Sequence, residues 1–270
     1  MKDKKRAELH SPAPPFTKSS MKKEIIKIEK WIKDYVENAG AEGVVIGMSG
    51  GKDSLVVAKL CANAIGSDKV LGVIMPNGQM TDKLDAETTC KLLNIPYQII
   101  NIENTYNSIL ENISPALEMS NKKINSITTI NTAPRVRMTT LYAIAGSLNY
   151  LVANTSNLSE TMIGYSTKWG DNAGDFAPIA NFTKTEVCQI GKELNLPDYL
   201  VNKTPSDGLS GKSDEEKIGF SYDSLDEFIR TGIKNEDYDK IIKKHKFALH
   251  KINGVCKYKN NYTNYFTKEV

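Results

Sequence analysis

The residues best suited to chemistry gather first in the run Gly47-Met48-Ser49-Gly50-Gly51-Lys52-Asp53-Ser54. Gly50 and Gly51 let backbone approach a ligand closely, and the free N–H groups of a helix starting there favour an anion. Ser49 and Ser54 add hydroxyl donors, so the stretch reads as a phosphate-binding loop. Asp53 is out of character in such a loop, because phosphate repels a carboxylate. A divalent cation with hard oxygen ligands resolves the conflict, and Glu160, in Asn154-Thr155-Ser156-Asn157-Leu158-Ser159-Glu160, is placed to share Mg²⁺ with Asp53. Glu160 also stands three residues after Asn157, the spacing of a helix capping box. Further on, Gly170-Asp171-Asn172-Ala173-Gly174-Asp175 carries two acids that are either turn formers or reactive groups. Arg135 and Arg137 offer guanidinium forks for phosphate or carboxylate, or are a pair of surface arginines; two apart, they point to different sides of a helix.

These groups need a scaffold, and the periodicity supplies one. Val44-Val45-Ile46 is a β-branched run suited to a buried parallel strand, followed by a helix over 53–64. Strands are expected over 69–75, 97–102 and 148–153, with helices over 82–93, 106–117 and a stretch opened by Pro134 in its first turn. That alternation predicts an α/β fold, a doubly wound, mostly parallel sheet with helices on both faces. Ligands in such sheets sit beyond the carboxyl ends of the strands, which puts Gln79, Asp82 and Asp85 beside the phosphate loop. Asp82 is equally explained as the N-cap of its helix. A helix over 22–38 precedes the first strand and brings Trp31 and Tyr35 onto one face; helices over 224–231 and 236–249 close the chain. Between them, 202–213 combines Pro205, Gly208 and Gly211 in the manner of a flexible loop at a functional edge.

The chain has 270 residues, enough for one large domain, expected over 21–270 behind an unstructured or appended leader over 1–20. A formal charge of +3 is too small to suggest nucleic-acid binding. No apolar run has the length of a membrane helix and no signal-peptide core opens the chain, so the reading is cytoplasmic. Cys61, Cys90, Cys188 and Cys256 are widely spaced and fit free thiols in a reducing compartment. None of His10, His245 and His250 lies near the phosphate loop in sequence.

The loop is not a Walker A sequence, since three residues separate Gly47 from Gly51 and Lys52 is followed by Asp53; nor is it G-x-G-x-x-G, since Ser49 follows at the second position. Ser-Gly-Gly-Lys-Asp-Ser resembles the pyrophosphatase loop of the N-type ATP pyrophosphatases. With Pro76, Gln79, Asp82, Asp85 and Ala86, Asn131 with Arg135 to Met138, Thr155 to Glu160, Gly170-Asp171 with Asp175, Lys184-Thr185, Pro205-Ser206 and Asp214-Glu215, all in order, the sequence resembles the NAD synthetase family. The resemblance implies an adenine nucleotide alpha hydrolase-like fold and ATP-dependent amidation of deamido-NAD through an adenylated intermediate, releasing AMP and pyrophosphate. It implies ATP contacts from Gly47, Ser49, Gly50, Gly51, Lys52, Asp53, Ser54, Gln79, Arg135, Thr155, Lys184 and Ser206. It implies deamido-NAD contacts from Tyr35, Arg135, Lys168, Asp171 and Asp175, Mg²⁺ on Asp53 and Glu160, and catalytic roles for Asp53, Asp171, Asp175 and Lys184. Partners would be the small molecules ATP, deamido-NAD and ammonia, and the assembly a homodimer. No amidase domain accompanies these motifs, so free ammonia, or ammonia from a separate glutaminase, is the implied nitrogen donor. Asn154, Leu158 and Pro134 depart from the glycine, lysine and alanine the family often has there. A GMP-synthetase-like or tRNA-modifying enzyme would share the loop without the run from Gly170 to Lys184. A silent nucleotide-binding module would not be expected to keep Asp53, Glu160, Asp171 and Lys184 together.

Overall fold

The computed structural model describes residues 16–203 and 214–256. Four parallel strands, β1 (Gly43–Gly47), β2 (Val70–Ile74), β3 (Tyr97–Ile99) and β4 (Tyr150–Val152), form one sheet in the order β3-β2-β1-β4. Side chains alternate across a strand. Val44 and Ile46 therefore face one layer of the core while Val45 faces the other, and all three are fully buried. On the first face lie α1 (Lys18–Asn38), α2 (Lys52–Ile65), α3 (Lys83–Leu92) and α7 (Lys184–Glu193), packed through Ile32, Leu55, Leu60, Cys90 and Ile190. The second face is covered by α5 (Ser126–Leu148), through Val136, Met138 and Leu141, with α4 (Glu103–Glu118) alongside. This is the doubly wound arrangement expected.

A third apolar cluster, Ile163, Ile218, Phe220, Tyr222, Leu225 and Ile241, lies outside these layers. It joins α6 (Leu158–Ile163), α9 (Asp214–Ile218), α10 (Tyr222–Thr231) and α11 (Tyr238–Ile252). The short α8 (Asp198–Val201) packs on α7.

Several local expectations are revised. Helix α1 starts at Lys18, inside the segment assigned to the leader, because Thr17 caps it and Phe16 packs against the Phe182 ring at 5.6 Å. Helix α5 begins at Ser126, so Pro134 lies within it rather than in its first turn; the true cap is Asn125, which accepts the Thr128 N–H at 2.9 Å. Asp82 stands at the N-cap of α3 but makes no side-chain cap bond. The capping box expected at Asn157 and Glu160 is half made: Asn157 accepts the Glu160 N–H at 3.0 Å, but the Glu160 carboxylate turns elsewhere. A complete box stands instead at Thr183 and Glu186. Among the described residues no helix is long and apolar enough to cross a membrane.

Candidate active site

The site lies at the carboxyl ends of β1, β2 and β4. From β1 the chain turns through Ser49, Gly50 and Gly51 into α2, whose first N–H groups are left without helical partners. Ser49 Oγ accepts the Gly51 N–H at 3.2 Å and lies 3.2 Å from Ser54 Oγ, which also donates to the Gly51 carbonyl at 3.0 Å. These bonds fold the turn so that hydroxyls and amides converge. Gly50 has φ +79°, and a Cβ there would lie 2.5 Å from the Asp82 carbonyl, so the start of α3 rests directly on the loop. Lys52 is directed away from this convergence: its Nζ lies 3.4 Å from Cys188 Sγ on α7. The Lys52 ammonium therefore does not join the hydroxyls and amides of the turn.

Beyond β4, Asn154 Nδ2 donates to the Asp171 and Ala173 carbonyls at 3.0 and 2.8 Å, fixing the turn between those residues. The chain then enters α6, which presents Glu160 toward Asp53. Asn157 Nδ2 donates to Asp53 Oδ1 at 3.1 Å, tying α6 to α2. Burial, and then the Asp53 charge, push the Glu160 carboxyl up to about 7, although Lys184 pulls the other way. Lys184 Nζ, only 4% exposed, donates to Glu160 Oε1 at 2.9 Å and lies 3.5 Å from Asp214 Oδ2. Burial alone would lower the lysine; Glu160 and Asp53 outweigh it and hold Lys184 firmly charged. Three carboxylates thus surround one buried ammonium, with Asp53 and Glu160 in electrostatic conflict, and a divalent cation would relieve that conflict through hard oxygen ligands. Among the described residues no group of three His, Cys, Asp or Glu side chains is arranged to hold a metal by itself. The pair would leave most of a metal's coordination to ligand oxygens and water.

The first turn of α7 is held residue by residue from α10. The ring of Tyr222 carries the Lys184 ammonium 4.1 Å from its centre. Asp226 Oδ2 accepts the Thr185 N–H and hydroxyl at 2.9 and 2.8 Å, while its Oδ1 accepts from Ser159 Oγ, itself an acceptor for the Lys184 N–H at 2.9 Å. Arg230 grips Glu186 with Nε at 2.7 Å and with Nη2, and donates to the Asn181 carbonyl at 2.8 Å. Position in sequence alone gave no sign of these three residues, which lie 38 to 44 positions from their partners.

The remaining sequence-derived residues divide into groups. Arg135 Nε donates to the Lys168 carbonyl at 3.1 Å, and Lys168 Nζ donates to the carbonyls of His250 and Gly254 at the end of α11. Arg137, unlike Arg135, is largely buried and donates to the Met75 carbonyl at 2.9 Å, near Asp171. Asp171 keeps an open edge to solvent, yet the surrounding protein pushes its carboxyl above the ordinary value; Thr167 N donates to its Oδ1 at 2.9 Å, and Lys251 adds a cation nearby. Asp175 is committed to the fold through both carboxylate oxygens: Oδ1 accepts from the Tyr142 hydroxyl at 3.1 Å and Oδ2 from Val152 N at 2.7 Å. Tyr35 donates to the Asp175 carbonyl at 2.7 Å and stacks near Trp31 and Phe176. Gln79 is exposed and Thr155 half-buried beside the site. Asp82 and Asp85 both pair with Lys203, at 2.6 and 2.5 Å. Ser206 lies outside the described residues.

A parallel sheet in the order 3-2-1-4, with a serine- and glycine-rich phosphate loop after its first strand and acids converging from beyond its fourth, defines an adenine nucleotide alpha hydrolase-like protein. Within that class the NAD synthase family model matches residues 24–266, and the chain belongs to that family. It is 44% identical over 77% of its length to an NH(3)-dependent NAD(+) synthetase of Thermococcus sibiricus, covering 79% of that protein. Among solved structures it is similar to an NMN synthetase of Francisella tularensis, with TM-score 0.79 and 34% identity over 90% of this chain and 99% of that one. An NH3-dependent NAD synthetase of Campylobacter jejuni matches with TM-score 0.71 and 27% identity over 89% and 99%.

Proposed function

We propose that this chain is an ammonia-dependent ligase that amidates deamido-NAD to NAD, cleaving ATP to AMP and pyrophosphate. The observation that carries the reading is the convergence of Asp53, Glu160 and Lys184 beside a loop built for phosphate, in a chain so similar to ammonia-dependent NAD synthetases.

The reaction has two halves. The nicotinate carboxylate attacks the α-phosphorus of ATP and pyrophosphate leaves; ammonia then attacks the resulting acyl adenylate and AMP leaves. The amides at the start of α2, with Ser49 and Ser54, bind the pyrophosphate oxygens, and their fixed dipoles need no rearrangement as charge builds there. Lys184 supplies the buried cation, turning from Glu160 toward phosphate. Asp53 and Glu160 would hold Mg²⁺, which when bound neutralises charge on the phosphates. Thr155, Gln79 and Arg135 border the nucleotide, and Ser206 joins them in this reading. Asp171 is the better candidate to accept a proton from ammonium, because its shifted carboxyl keeps an open edge. Asp175 instead fixes β4 and Tyr35 at the dinucleotide surface, with Lys168 placing Arg135 and the end of α11. A homodimer in the cytoplasm is part of the same proposal.

The likeness to the Francisella NMN synthetase favours a second reading, in which the acceptor is the mononucleotide carrying the same nicotinate carboxylate. Both are tested by incubating purified protein with ATP, Mg²⁺ and ammonium, and with either deamido-NAD or nicotinate mononucleotide, while following amide and AMP by chromatography. Turnover of deamido-NAD at the higher kcat/KM supports the first reading. Preference for the mononucleotide replaces it with the second, and no AMP with either acceptor overturns both.

A further inference from the structure

Tyr222 opens α10 and is 4% exposed, yet among the described residues its hydroxyl has no hydrogen-bond partner. Its neighbours are Lys184, Glu160 and Asp214, the charged groups at the nucleotide end of the site. None of them meets it in hydrogen-bond geometry: the Lys184 ammonium acts on it electrostatically but sits over the ring, Glu160 Oε1 and Asp214 Oδ2 face Lys184, and Asp214 Oδ1 accepts from the Tyr165 hydroxyl at 2.9 Å. A buried, unpaired hydroxyl is costly, and phenylalanine would fill the same space without that cost. The ring alone accounts for the cation–π seat beneath Lys184, so packing does not explain the hydroxyl.

We propose that Tyr222 is a positioning residue of the nucleotide site, its ring seating the Lys184 ammonium and its hydroxyl held ready to donate to a polyphosphate oxygen. The inference rests on the reading of this site as an ATP site. A neutral phenol suits that role, because it adds a donor where Asp53, Glu160 and Asp214 already crowd the ammonium, and adds no further charge to balance. When polyphosphate draws Lys184 off Glu160, the same movement opens the hydroxyl's path to the anion.

The test compares wild type, Tyr222→Phe and Tyr222→Leu as full-length protein. Calorimetric titrations with Mg-pyrophosphate and with Mg-ATP are read beside ligand-free melting temperatures. Tyr222→Phe should melt at or above the wild-type temperature, because it removes an unpaired buried group, while binding pyrophosphate about tenfold more weakly, as expected for a lost bond to a charged oxygen. Its KM for ATP should rise by a similar factor. Tyr222→Leu should bind more weakly still, because Lys184 loses its aromatic seat. Wild-type affinity in Tyr222→Phe, whatever its melting temperature, would overturn the donor role. Failure of the wild-type protein itself to bind either polyphosphate would instead refute the ATP-site reading, and the inference with it.

Discussion

Replacing Gly50 with alanine tests whether the phosphate loop and α3 form one rigid contact. The backbone there has φ +79°, and the new Cβ would meet the Asp82 carbonyl at 2.5 Å, Asp82 Cβ at 2.9 Å and the Ala86 nitrogen at 3.3 Å. A left-handed conformation costs an L-residue about 1–2 kcal/mol, and forcing an extra carbon into packed backbone about 1–3 kcal/mol more. Two of these atoms belong to main chain and Asp82 Cβ is fixed directly to it, so none can swing aside as the far end of a flexible side chain would. Together these give about 2–5 kcal/mol, or a fall in melting temperature of about 5–15 °C for a chain of this size. Gly146 is the matched control: it is exposed in the last turn of α5, and nothing lies within 4 Å of a Cβ built there. Gly146→Ala should hold or raise stability, by at most about 1 kcal/mol, through helix propensity alone. Differential scanning calorimetry of the two variants reads the contrast, and the KM for ATP should rise only in Gly50→Ala. A Gly50→Ala protein that melts within about 2 °C of wild type, with unchanged KM, would show that α3 yields freely and refute the reasoning.

Three further outcomes follow from the site. Asp53→Asn should keep the fold, since its partner is the Asn157 amide, but should abolish AMP release; near-normal turnover would remove Asp53 from the metal pair. The Glu160 carboxyl lies at about 7 against an ordinary 4.5, so its contribution is fully present below the unfolded value and is lost as pH rises toward 7. Ligand-free stability should therefore decline over that window by no more than about 3 kcal/mol, and Glu160→Gln should flatten the slope in urea denaturation at a series of pH values. Arg230→Ala leaves Glu186 buried without its cation and should cost about 3–5 kcal/mol in urea denaturation, whereas a loss below about 1 kcal/mol would mark the pair as a surface ion pair.

The elements that announce themselves locally were legible in the sequence. β1 and the loop after it combine a β-branched run with glycines at fixed offsets, and both periodicity and turn chemistry report on neighbours in the chain. Pro134 misled because proline suits a first turn, whereas the cap that starts α5 is Asn125, ahead of a stretch with little apolar period. Family resemblance singled out Asp53, Glu160, Asp171 and Lys184 as candidates, yet the partners that the fold gives them were not legible. Asp82 looks like a cap from its position, and only the fold brings Lys203 to it from 121 residues away. Lys52 is an ATP contact in the family resemblance, and only the fold shows that Cys188 of α7 lies beside its ammonium. Tyr222, Asp226 and Arg230 carry no motif at all; their meaning lies in long-range juxtaposition, which no local pattern encodes.

Those three residues stand four apart on α10 and meet three consecutive residues of α7, Lys184, Thr185 and Glu186. The helix works as a gauge laid across the start of its neighbour, and this sets where the gene tolerates changes in length. One residue inserted between Tyr222 and Arg230 would turn everything after it by about 100° and unseat every contact beyond the insertion. The same insertion after the helix closes at Gly232 would leave the gauge untouched. Natural insertions and deletions among relatives should therefore spare the span from Tyr222 to Arg230 and collect in the turn that leads to α11.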